Sequence, residues 1–276
     1  MASPTRFIES ESGTDPDVWL GDSKTILFSS NRTGRSQIFR QQIGQDTAQP
    51  VIGGPDEDFG ANLSPDGRWI LYWSYAYAGG GPTPTTVRLM RFPVSGGSPE
   101  QILETRFPDP TNFECPIRLA GSCVLSRSEQ GLTFFYELDP VRGQGKELAR
   151  INMGPGNVPM WAVSPEGSRL AIVSRVQPPQ QVRIVDFRNG TEHNFELPQG
   201  WYIRGLGWAA DGNALLATVQ STESVIARIE FDGAIHILFS RSRNQPLGLS
   251  CPSPDGRHLA FSQNTVERNA WLLESF

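Results

Sequence analysis

LSPDGRWILYWS, residues 63–74, passes from an apolar approach through a Ser-Pro-Asp-Gly corner into an apolar run ending on Ser74. Related phrases recur: WLGDSKTILFSS at 19–30, VSPEGSRLAIVS at 163–174, WAADGNALLATV at 208–219 and PSPDGRHLAFSQ at 252–263, with a worn copy, IRLAGSCVLSRS, at 117–128. The corner position falls on Asp22, Asp66, Ala120, Glu166, Asp211 and Asp255, in steps of 44, 54, 46, 45 and 44 residues. Self-similarity at a fixed period of this size marks a repeat architecture. The corner has a local cause. Glycine enters positive φ without a Cβ clash, and an aspartate can accept nearby backbone N–H groups. Asp66 and Asp255 are therefore read as hairpin holders rather than catalysts.

Each copy carries the same internal order. A strand enters the corner, a second leaves it (Ile26–Phe28, Ile70–Tyr72, Leu170–Ile172, Leu259–Phe261), and an alternating third follows (Ser36–Arg40, Thr86–Arg91, Gln181–Asp186, Ser224–Ile229). A fourth closes the unit, as at Pro99–Leu103 and Ala234–Phe239. Four short strands per 40–45 residues is the arithmetic of a β-propeller blade. The expected fold is all-β, a six-bladed propeller forming one domain over residues 1–276. The sixth copy stops at NAWLLESF, its third strand, while TRFIESE near the N-terminus is an unassigned strand. Residues 5–10 are expected to supply the missing outer strand and close the ring, because an open ring leaves an unpaired edge.

The bulk figures fit. Hydrophobic residues make up 38% of the 276 and aromatic residues 10%, while 28 Gly and 22 Pro are spread along the chain as turns are. The net charge of -5 offers no general nucleic-acid surface. No stretch approaches the roughly 20 apolar residues of a membrane span. The start lacks the apolar core of a signal peptide, so the chain reads as cytoplasmic if Met1 is its natural start, and otherwise as an excised extracytoplasmic domain. It also reads as a monomer. Three cysteines make no closed disulfide set. A tight Ala120-Gly121 turn would set Cys123 opposite Arg118, with Cys115 on the other face, so no bridge is expected. The three histidines and three cysteines show no metal spacing.

The Ser-Pro-Asp-Gly phrase, the aliphatic strand after it, NRTGRSQIFR at 31–40 and FPVSGGSPEQIL at 92–103 resemble the WD40-like (PD40) repeat of TolB-type propellers. The likeness covers residues 5–276. It implies a six-bladed ring but no single function, since such propellers serve as binding modules, enzyme lids and sensor domains. TolB itself carries a further N-terminal domain and a secretory signal that this sequence does not show. The ending NAWLLESF is similar to repeat arrays at the C-terminus of bacterial sensor kinases and regulators.

Function in a propeller gathers at one mouth of the central channel. By repeat alignment Asp15, Asp17, Asp58, Glu114 and Arg204 fall at or just before inner strands. Carboxylates lie on blades one to three, whereas Arg175, Arg204, Arg241, Arg243 and Arg268 lie on blades four to six, a two-toned face suited to a charged partner. Trp201 and Tyr202 beside Arg204 are candidate ligand contacts. So are Tyr75 and Tyr77, in the insertion YAYAGGGPTPT at 75–85. Trp19 and Trp208 occupy equivalent positions and are assigned to packing between blades. The reading is a non-enzymatic binding or sensing module for a protein or peptide. Asp15, Asp17, Asp58 and Glu114 offer oxygens that suit Ca²⁺, which gives the alternative of a metal-dependent hydrolase or lyase. A regulatory propeller of a serine peptidase is a further alternative. Ser74 itself is a poor nucleophile, because Trp73 and Tyr75 crowd a turn that needs small residues.

Overall fold

The computed structural model describes residues 4, 5, 7, 8, 13–77, 83–108, 111–118, 121–174 and 181–263. Five sheets of four antiparallel strands follow one another along the chain. The first holds β1 (Thr14–Trp19), β2 (Thr25–Ser30), β3 (Gln37–Gln42) and β4 (Gln49–Ile52); the second β5 (Glu57–Leu63), β6 (Trp69–Ala76), β7 (Thr86–Pro93) and β8 (Glu100–Arg106). The third holds β9 (Thr111–Glu114), β10 (Cys123–Glu129), β11 (Leu132–Asp139) and β12 (Gly143–Asn152). The fourth has β13 (Met160–Val163), β14 (Arg169–Val173), β15 (Gln181–Asp186) and β16 (Glu192–Glu196). The fifth has β17 (Tyr202–Trp208), β18 (Ala214–Gln220), β19 (Glu223–Glu230) and β20 (Ile235–Ser242). A sixth sheet has two strands, β21 (Leu247–Pro252) and β22 (Leu259–Gln263). The chain is thus a propeller of four-stranded blades.

The expected count of six blades is corrected to five complete ones and a two-stranded sixth among the described residues. The third strand expected over NAWLLESF lies outside them. Of the expected closing strand 5–10, Thr5, Phe7 and Ile8 are described and none is in a strand, and the rest lies outside. Phe7 and Ile8 nonetheless pack between the first sheet and the sixth, and Gln41 Nε2 donates to the Phe7 carbonyl at 3.1 Å.

The two-residue alternation of each second strand explains the stacking, because successive side chains enter opposite interfaces. Leu27 joins Ile70 and Tyr72 between sheets one and two, whereas Ile26 and Phe28 turn to Cys251 and Ala260 of sheet six. Leu71 and Trp73 meet Leu125 between sheets two and three; Val124 meets Leu170 and Ile172 between three and four. Ala171 and Val173 face Leu215 and Ala217 between four and five, and Leu216 touches Leu259 between five and six. Sheets buried on both faces read as continuous apolar runs, and β2, TILFSS, is one.

The corners hold as the repeat reading requires, with one addition. Their serine is buried and wired: Ser64 Oγ donates to Asp66 at 2.5 Å and accepts from the Trp69 N–H at 2.9 Å. Ser253 repeats the arrangement with Asp255 and His258, and Ser164 accepts from the Arg169 N–H. Gly67 and Gly256 both take φ 69°. Trp19 and Trp208 do join sheets, donating to the carbonyls of Cys251 and Ala162 at 2.9 and 3.0 Å.

The cysteine expectation is overturned. Cys115 and Cys123 form a disulfide between sheet-three strands and lie in the apolar layer against sheet two. The register pairs Val124 with Glu114, so the next step outward sets Cys123 against Cys115, not Arg118. That register leaves a separation of 8 between the two cysteines, instead of the expected tight turn that set Cys123 opposite Arg118. In the one copy that lacks an acidic residue at its corner, the cross-link stands in that corner's place.

Candidate channel and mouth

Inner strands β1, β5, β9, β17 and β21 start at one end of the molecule, and four of them are irregular there. The ladder skips between Pro16 and Val18, between Phe59 and Asn62, between Ile203 and Gly205, and between Leu247 and Ser250. A bulge inserts an unpaired residue and re-aims its side chain. Asp17 and Arg204, two residues singled out from the sequence, are the inserted residues of blades one and five. Strict alternation could not have revealed this, since the repeat pattern counts positions without showing which one leaves the ladder.

The four candidate carboxylates go to four separate places. Asp15 is exposed and accepts from Ser262 Oγ of the sixth sheet at 2.7 Å. Asp17 accepts from Ser29 Oγ at 2.6 Å and from the backbone of Ala61, while Ser29 Oγ also receives the Gly60 N–H at 3.0 Å. The carboxyl thereby fastens blade one to blade two. Burial pushes its pKa up to about 7, further raised by the Asp15 charge and held down by those hydrogen bonds. Glu114 accepts from the Val163 N–H at 3.0 Å, tying blade three to blade four, and burial pushes it up to about 8. Asp58 is 5% exposed and takes a hydrogen bond from Ser74, burial again raising its pKa. Ser74 is itself buried in that pairing. Among the described residues no group of three or more His, Cys, Asp or Glu is placed to hold a metal ion. Each of the four carboxyls has its own partner: Asp17 and Glu114 reach the backbone of the next blade, Asp15 the sixth sheet, and Asp58 a serine of its own blade.

Cys251 lies in the apolar layer between sheets one and six. Its thiol is pushed up to about 12, first by burial, with the charges of Asp17 and Glu114 adding to the rise.

The aromatic candidates also divide. Tyr75 packs edge-on against Phe59 at 4.5 Å and Phe107 at 5.7 Å, as part of the blade-two rim. Tyr77 is held by its hydroxyl on Glu57 at 2.8 Å, with the Arg35 guanidinium 5.9 Å from its ring. Trp201 packs into the layer between blades four and five. Tyr202 is 41% exposed, with the Arg204 guanidinium 5.7 Å from its ring centre.

Tyr202 lines a cleft of about 500 Å³ with Gly200, Gln220, Ser221, Thr222 and Arg243. Gln220 pairs directly with Tyr202 on the neighbouring strand, and Arg243 arrives from the loop after β20. The turn 220–222 was missed from sequence because nothing in its composition separates it from an ordinary turn. Leu249, in the sixth-sheet bulge, is 51% exposed and lies beside Gly205. The structure so sets Tyr202 and Arg243 in one cleft with Arg204 against the Tyr202 ring, while Leu249 stands on the adjoining sheet. Arg175 and Arg268 lie outside the described residues.

No protein-family model matches the chain, and no curated protein matches it. Solved structures do. TolB from Acinetobacter baumannii superposes with a TM-score of 0.66 at 17% identity, over 84% of this chain. This chain spans about half (55%) of that one. A putative TolB from Agrobacterium tumefaciens also gives 0.66, at 15% identity, over 93% of this chain and 92% of the other. An oligogalacturonate lyase in complex with manganese gives 0.57, at 15% identity, over 89% and 70%. These likenesses show the fold, that of a TolB-like β-propeller. Among the described residues no helix is long and apolar enough to cross a membrane.

Proposed function

We propose that the chain is a protein- or peptide-binding propeller, a single domain whose ring is completed at the sixth blade by residues 5–10, and that it takes its partner at the mouth beside blade five. The observation that carries this reading is the exposure of Tyr202 at 41%, next to a bulge that turns Arg204 out of the ladder. A large aromatic left half in water beside a cation is the kind of anchor that interfaces use. Apolar contacts with sheets five and one on either side of sheet six support the closed ring. Affinity capture with the wild-type chain and with Arg204→Glu tests the mouth. The variant is expected to lose the partner while keeping its melting temperature, and equal recovery would contradict the reading.

A second reading, catalysis within the channel, is favoured by the displaced carboxyls of Asp17 and Glu114, since perturbed acids cluster at functional sites. Both already serve as ties between blades, which accounts for their burial without a substrate.

A further inference from the structure

Resting on the mouth reading above, we infer that the cleft beside blade five selects acidic peptides, seating a carboxylate between Arg243 and Arg204 with an apolar neighbour of that carboxylate against Tyr202 and Leu249. Four observations converge on it. Arg243 lines the cleft and Arg204 lies against Tyr202 in its wall, and among the described residues neither makes an ion pair. Arg169, Arg183 and Arg228 of blades four and five do, at 2.7, 2.6 and 2.7 Å, so carboxylates in these blades are spent elsewhere. Arg241, two residues before Arg243, is stacked at 4.4 Å on Phe239 and adds a third charge to this rim. Glu223, the acid of the adjoining turn, stands opposite Ser242 in register and pairs with none of the three.

The remaining chemistry narrows the ligand. Gln220 and Thr222 present neutral donors and acceptors that suit a peptide backbone, while Ser221 holds the turn through Glu223. Leu249, exposed on the adjoining sheet beside Gly205, adds apolar surface next to the Arg204 backbone, which an inorganic anion cannot use. A volume of about 500 Å³ gives room for a few side chains. The chain's net charge of -5 keeps the positive field local, which disfavours a long phosphate backbone and leaves a short acidic segment as the fit.

The test uses the full chain and two fluorescein-labelled hexapeptide pools, one with two fixed glutamates and the other with glutamines in their place, read by anisotropy. The acidic pool is expected to bind at least tenfold more tightly, to weaken as salt rises, and to lose at least tenfold with Arg243→Glu. Arg142→Glu, on the β11–β12 turn at the far end of the blades, is expected to leave binding unchanged, and melting temperatures verify that both variants fold. Equal binding of the two pools overturns the acidic selectivity alone. No binding of either pool at millimolar concentration overturns the mouth reading with it. Competition by inorganic phosphate as effective as by the acidic pool, or binding of single-stranded DNA in preference to it, overturns the peptide assignment.

Discussion

Trp19 donates its indole N–H to the carbonyl of Cys251 at 2.9 Å, joining the first sheet to the last across 232 residues of sequence. Both partners belong to one apolar layer with Phe28, Phe39 and Phe7, so the bond is made where the two ends of the repeat array meet. Trp19→Phe keeps most of the ring's bulk and removes the donor, leaving the Cys251 carbonyl without that partner. The expected loss is about 1–3 kcal/mol, measured by urea denaturation. Trp208→Phe, which frees the Ala162 carbonyl, should cost a similar amount. A loss at Trp208 with none at Trp19 would mean that the sixth and first sheets are not stably joined.

Deleting the cross-link is the second test. Cys115→Ser with Cys123→Ser opens a closed loop with a separation of 8 residues, for which chain entropy gives about 2–3 kcal/mol. Stability should fall by that amount, and reductant should lower the melting temperature of the wild type without affecting the double variant. Two titratable thiols on Cys115 and Cys123 in the native, unreduced chain would contradict the bridge.

These two features show what the sequence conveyed and what it did not. The repeat phase, the order of strands and the packing duty of Trp19 and Trp208 were legible, because a hairpin corner and a buried alternating strand each need particular residue types. The Cys115–Cys123 pairing was not, since it turns on the length of a connection that had lost its Ser-Pro-Asp-Gly phrase. At the mouth, Tyr202 and Arg204 were readable as a polar, aromatic loop entering an inner strand. Their union with Arg243 and Leu249 depends on bulges and on contact between separate sheets, which no local pattern encodes.

Asp17 and Glu114 give a pH dependence with a definite sign. Their folded-state values, about 7 and about 8, stand above the ordinary carboxyl values of 3.8 and 4.5, so the folded protein binds protons that the unfolded chain releases. This stabilisation is fully present only below the unfolded value of 3.8 and is lost as pH rises through about 7 and 8. Other carboxyls act in the opposite sense: Asp255, with its hydrogen bond from Ser253, and Asp186, with one from Arg188, are lowered and favour higher pH. The discriminating measurement is therefore a difference. Between pH 5 and 8, Glu114→Gln should lose less stability than wild type does, and parallel curves would contradict the assignment.

Metal addition should do little. Asp15, Asp17, Asp58 and Glu114 are each engaged with a different partner, on Ser262, Ser29, Ser74 and the Val163 N–H respectively. Millimolar Ca²⁺ or Mn²⁺ is expected to leave the melting temperature within about 1 °C. A rise of several degrees that Asp17→Asn abolishes would revive the channel-metal reading.

The most direct measurement places a photo-crosslinking amino acid at position 202, or at position 142 on the opposite end, and maps the adducts formed with the glutamate-containing hexapeptide pool by mass spectrometry. Adducts are expected from position 202, competed away by unlabelled acidic peptide, and none from 142. Equal labelling at the two positions, or labelling at 142 alone, would contradict a partner-binding mouth beside blade five.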